Sequence, residues 1–195
     1  LGWYMVKSGL VNNPHVSHFR LSAHLLLAFF VLAYIFWTRI SLNSKSRDNI
    51  NYSHLKHVNI LLVLFVVQVM FGAFIAGTKA GRLWNTFPLI EGYIFHPQLL
   101  SLKPLYMNFL NNMMMFQFIH RLLGVIITIY GVYFFILTSS EIYAKHTRFL
   151  FMIVLIQFYL GIMTLLSGVE IQFAILHQFI AIIFLLVLVK IKYLI

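Results

Sequence analysis

Three of the nine histidines in this 195-residue chain stand where an ionisable side chain is expensive. His24, His120 and His177 each fall inside a continuous apolar run long enough to cross a bilayer. Imidazole in that setting either hydrogen-bonds a neighbouring helix or serves as a functional group. One such function is axial ligation of a haem iron, which helical bundles hold with side chains projecting from facing helices. Zinc fits less well, because no Cys, Asp or Glu accompanies His120 and His177 within the apolar runs. The chain has no Cys at all, which excludes disulfides, thiolate metal centres and Cys nucleophiles.

The elements that carry these histidines are predicted as helical spans at 20–41, 58–77, 114–138, 149–167 and 173–193, and residues 1–5 read as the tail of a sixth. The runs are continuous rather than alternating, so a transmembrane barrel is excluded. Composition agrees: 62% of residues are hydrophobic and 9% are charged, against about 25% charged in soluble domains. If successive spans alternate in direction, those bearing His24, His120 and His177 enter from one side. The three histidines then lie 4–6 residues in, at a common depth of roughly 6–9 Å. His120 and His177 at equal depth on parallel helices are placed to grip one flat metal cofactor from its two faces.

Neighbouring polar residues have two readings each. Arg121 either meets a haem propionate or snorkels to the headgroups. Gln117 and Gln178 either orient the imidazoles or cap helix ends. The remaining histidines, His15, His18, His54, His57, His96 and His146, read as solvated loop residues without a role. Residues 77–81 are too loose for a phosphate loop, Met113–Met115 reads as packing, and Glu170 reads either as a general acid/base or, more commonly for an exposed loop acid, as inert.

The net charge of +10 rests on scattered basic residues that form no stripe, so it points to anionic headgroups and away from nucleic acid. Arg39, Lys45, Arg47, Lys56, Lys145, Arg148, Lys190 and Lys192 fall on one side of the predicted topology, and Lys7, Arg20, Lys79, Arg82 and Lys103 on the other. The excess of positive charge makes the first side cytoplasmic. One long loop, 78–113, contains Pro88, Pro97 and Pro104 with Trp84, Phe87, Tyr93 and Phe95. It reads either as a functional segment or as a surface connector.

The chain also repeats itself. Leu1-Gly2 precedes Ser8-Gly9 at the spacing with which Leu160-Gly161 precedes Ser167-Gly168, and a His-bearing span follows each. A duplicated design of this kind implies a parent of eight spans in two four-helix halves, with roughly 100 residues upstream of Leu1. Residues 1–57 are then the end of the first half, and residues 58–195 are the complete second half. The fold expected is an all-α polytopic membrane protein, a four-helix transmembrane bundle plus the last span of a preceding, truncated pseudo-symmetric bundle.

The stretches Gly2-Trp-Tyr-Met-Val-Lys-Ser-Gly9, Arg20-Leu-Ser-Ala-His24-Leu, Asn85-Thr-Phe-Pro-Leu-Ile-Glu-Gly92, Gln117-Phe-Ile-His120-Arg121 and His177-Gln178 resemble, in order, the C-terminal portion of haem A synthases of the mitochondrial and alphaproteobacterial type. The resemblance implies an oxidoreductase that converts the methyl group of haem O to the formyl group of haem A for cytochrome oxidase. It implies residence in a bacterial plasma membrane or the mitochondrial inner membrane, with lipid, an electron-transfer partner and haem O synthase as partners. It assigns His120 and His177 to a resident haem b, and His24 to the half that binds haem O as substrate. The second substrate-half His and the family's catalytic Glu would lie upstream, so the segment alone is incomplete as an enzyme. Family members with a loop disulfide differ from this chain, but the type it resembles does not. The competing readings are a b-type cytochrome that only transfers electrons and a transporter with a His proton relay.

Overall fold

The computed structural model describes residues 2–3, 17–42 and 52–195. Ser8-Gly9, His15, Lys7, Lys45, Arg47 and most of the predicted sixth-span tail lie outside the described residues. The helices are α1 His18–Leu42, α2 Tyr52–Thr78, the short α3 Met107–Asn111, α4 Met113–Leu137, α5 Ala144–Leu166 and α6 Ile171–Leu194. All but α3 are long and apolar enough to cross a membrane, and no β-strand occurs among the described residues. The chain is an all-helical, multi-pass membrane protein.

The predicted spans match these helices except at the edges, most clearly in α2, which starts at Tyr52 rather than at 58. Hydropathy marks the hydrocarbon region, whereas backbone hydrogen bonding carries a helix on through the headgroups. This corrects the reading of four histidines as loop residues. His18, His54, His57 and His146 sit in the opening turns of α1, α2 and α5. His18 bonds the Leu110 carbonyl at 2.9 Å, His57 bonds the Tyr130 hydroxyl at 2.6 Å, and His54 bonds the Tyr143 hydroxyl. His96 remains in the loop, where its Nδ1 accepts from the Gln98 amide.

Helices α2, α4, α5 and α6 pack in a ring, each against the next, and α1 lies outside in the groove between α2 and α6. In this ring α4 and α6 occupy opposite corners. Apolar faces such as those of Phe30, Ile129, Phe149 and Ile175 point outward, as a lipid solvent allows.

The main apolar core fills only one half of the ring's length. It includes Val58, Leu61 and Phe65 of α2, Ile127 and Phe134 of α4, Leu150, Ile153 and Val154 of α5, and α6 from Ala181 onward. Edge-to-face rings of Phe29, Phe65 and Phe184 tie α1, α2 and α6 together at mid-height, with centroids 5.5 and 5.4 Å apart. The other half carries the three histidines, six, seven and six residues into α1, α4 and α6. At 1.5 Å per residue that is a depth of about 9–11 Å.

The segment between α2 and α4 is an ordered cap on that half. Two 3₁₀ turns, Ala80–Arg82 and Pro97–Leu100, flank a tight reversal in which Ile90 and Tyr93 exchange backbone bonds. Ile90 and Leu99 pack on Met114 and Met115 of α4. The Asn112 side chain caps α4 by accepting from the Met114 and Met115 amides, and it donates to the Gln98 and Leu99 carbonyls.

Candidate functional site

His120 projects from α4 against α2. Its Nδ1 lies 3.1 Å from the Gln68 backbone carbonyl. A carbonyl only accepts, so the proton sits on Nδ1 and Nε2 carries the free lone pair. The Gln68 side-chain amide nitrogen lies 3.3 Å from that Nε2 and donates to it. A backbone carbonyl that fixes the tautomer in this way is the usual companion of a metal-ligating imidazole.

His177 projects from α6 against α5 and repeats the glutamine contact on Nε2 but not the backbone bond on Nδ1. The Gln157 amide nitrogen lies 3.4 Å from His177 Nε2. His177 Nδ1 is buried and makes no hydrogen bond. The two imidazoles come from opposite corners of the ring, at matched depth.

Glycines floor both positions. A Cβ on Gly72 would come within 3.1 Å of His120 Cε1, and one on Gly161 within 3.0 Å of His177 Cε1. His24 packs more loosely on Gly2, at 3.6 Å by the same measure. The expectation that Gln117 and Gln178 orient the imidazoles is overturned. Gln117 is buried but donates to the Ala80 carbonyl at 2.6 Å, and Gln178 lies exposed on the outer face of α6. The residues that meet the histidines are Gln68 and Gln157. The available signal was a shared pattern, Gln-x-x-x-Gly, at Gln68–Gly72 and Gln157–Gly161. Residues four apart share a helix face, so each pair reaches one ring.

Arg121 does not extend to the headgroups. Its guanidinium donates to the Trp84 and Thr86 carbonyls, both at 2.7 Å, and to Gln117 Oε1. It therefore ties the cap to α4 one residue from His120, and its buried Nε has no partner. Asn85 reinforces the tie by donating to the Gly81 and Leu165 carbonyls, each at 2.7 Å. Phe87 reaches Phe158 of α5, 6.0 Å between centroids.

The chemistry of this donor set suits a haem. Two neutral imidazoles face across a bundle, and no group of three or more His, Asp or Glu able to enclose a bare ion occurs among the described residues. The buried oxygens of the Gln68 and Gln157 side chains, with Arg121 Nε, are polar atoms left open. Buried polar atoms normally have partners. A polar-edged ligand between the histidines would supply them.

A family model described as COX15-CtaA, cytochrome oxidase assembly protein, matches residues 1–189. Among curated proteins, the heme A synthase of Wolbachia sp. subsp. Brugia malayi is 43% identical over 180 residues, covering 91% of this chain and 53% of the relative. That of Wolbachia pipientis wMel is 43% identical over 180 residues, covering 91% and 51%. That of Nitrosospira multiformis is 40% identical over 191 residues, covering 91% and 52%. The chain thus spans about half the length of the curated relatives it matches. No solved structure matches it. With the match running through both histidines and the cap, the chain belongs to the COX15-CtaA family of cytochrome oxidase assembly proteins.

Proposed function

We propose that this chain is the portion of a haem A synthase that holds the resident haem b, in an enzyme that oxidises the methyl group of haem O to the formyl group of haem A. The observation that carries the reading is the pair His120 and His177. They stand at opposite corners of one four-helix ring, at matched depth, each with Nε2 as the unprotonated nitrogen and each on a glycine floor. His120 and His177 would ligate the iron, and Arg121 would offer Nε to a propionate. Holding a haem between them, the two histidines would suit it to electron transfer rather than to oxygen chemistry. The protein's part is to hold the two rings, to keep the site apolar below them, and to close it from water with the cap pinned by Arg121 and Asn85.

Residues 58–195 form the haem b half in this reading, and residues 1–57 belong to the substrate half. His24, on its own glycine, is a ligand of the haem O site. The membrane is a bacterial plasma membrane or the mitochondrial inner membrane.

A reduced-minus-oxidised visible spectrum of the protein purified in detergent from haem-replete cells tests the assignment. A sharp low-spin b-type α band, lost in His120→Ala and in His177→Ala but kept in His24→Ala, is expected. Loss of the band in His24→Ala alone would overturn the pairing.

A further inference from the structure

Histidine orientation in a membrane bundle has to be imposed by neighbours, because an imidazole rotates freely about two bonds and lipid offers it no partner. Two features of this bundle impose it twice. Beyond its own helix, a Cβ built on Gly72 would meet the His120 ring, and the three nearest atoms to a Cβ on Gly161 belong to the His177 ring. Each glycine thus makes room for an imidazole of the neighbouring helix, whereas Gly131 faces an aliphatic side chain, Val154, which its added Cβ would meet at 3.4 Å. One turn before each ring-facing glycine stands a glutamine with its amide nitrogen on the Nε2 of the same ring, at 3.3 and 3.4 Å, and its amide oxygen buried without a partner. A glutamine half-satisfied inside a bundle is costly, and here the cost appears twice at the same place relative to a histidine.

We propose that Gln68–Gly72 and Gln157–Gly161 are two copies of one ligand-holding device, in which the glycine seats the imidazole edge and the glutamine orients the ring by donating to Nε2, leaving that lone pair when iron takes it. Both glutamines are positioning residues that act through the histidines. The device recurs in part at Gly2 and His24. This inference rests on the assignment of His120 and His177 as haem ligands.

The test uses the full chain loaded with haem in cells. Gly72→Ala, Gly161→Ala, Gln68→Met and Gln157→Met are compared with wild type and with Gly131→Ala. Methionine keeps the length and volume of glutamine and removes the amide. The readouts are haem per protein, the low-spin electron paramagnetic resonance signal and the midpoint potential. An added methyl forces each ring to give by a few tenths of an ångström, so the two alanine variants should lose haem and shift the resonance signal. The methionine variants, whose rings are no longer oriented before iron arrives, should bind haem about 10–100-fold more weakly, the usual loss on removing a group that orients a ligand. Gly131→Ala should match wild type. Alanine is the better helix former, so haem loss with undiminished helicity cannot be unfolding. Should an alanine variant fail to fold, the methionine pair decides. Wild-type haem content, signal and potential in the variants would overturn the device while leaving the bis-histidine assignment standing. Absence of haem from wild type would overturn that assignment, and the device with it.

Discussion

Arg121→Met isolates what pins the cap over the histidines. The substitution keeps an unbranched, helix-compatible side chain and removes every donor. Wild-type Arg121 makes two charged hydrogen bonds to cap carbonyls, Trp84 and Thr86, both at 2.7 Å. A hydrogen bond from a charged group contributes about 1.5–3 kcal/mol net, so the pair contributes about 3 kcal/mol even at the low end. The Asn85 bonds to Gly81 and Leu165 remain, so the cap loosens rather than detaches. At about 1.4 kcal/mol per tenfold, local opening should become roughly 100-fold more frequent. Amide hydrogen exchange of peptides covering residues 83–92, followed by mass spectrometry in detergent, reads that change directly. Arg121→Lys should fall between, since an ammonium is a point charge and cannot reach both carbonyls with a planar fork. Exchange within about threefold of wild type in Arg121→Met would refute the reasoning, because no loss of two charged bonds is that small.

Two further outcomes follow from the ends of the bundle. Burial, with Glu141 as the second cause, pushes the Tyr143 phenol up to about 12 from an ordinary value of 10.0. The raised value means that the neutral phenol is what the folded state favours, so its contribution is complete below pH 10 and fades as pH climbs toward 12. Tyr143→Phe removes the hydroxyl bonded to His54 while Glu141 stays 3.6 Å from the same nitrogen, so it should cost about 0.5–1.5 kcal/mol at neutral pH. The gap in thermal melting between variant and wild type should narrow above pH 10. Asn112→Ala removes the α4 cap together with the ties to Gln98 and Leu99. It should cost about 1–2 kcal/mol and speed protease cleavage between residues 97 and 111, read by gel after limited digestion.

Much of this protein is determined by local sequence. Apolar runs of about 20 residues with almost no charge have one outcome in a bilayer, a helix that satisfies its own backbone. Five spans and the common depth of His24, His120 and His177 follow from counting along the chain at a fixed rise per residue. Helix ends were less legible, as α2 shows, because hydrogen bonding rather than hydropathy sets where a helix stops.

Tertiary structure decided who touches whom. Arg121 could reach headgroups, a propionate or a loop by length alone, and only the folded cap put the Trp84 and Thr86 carbonyls within its reach. Gln178 adjoins His177, but a helix turns about 100° per residue and aims it elsewhere, and Gln117, on the face of His120, is drawn to the Ala80 carbonyl instead. Gln68 and Gln157 lie 52 and 20 residues from the rings they meet. Their role depends on which helices become lateral neighbours, and that is settled by packing of whole helix faces, which no single stretch of sequence contains.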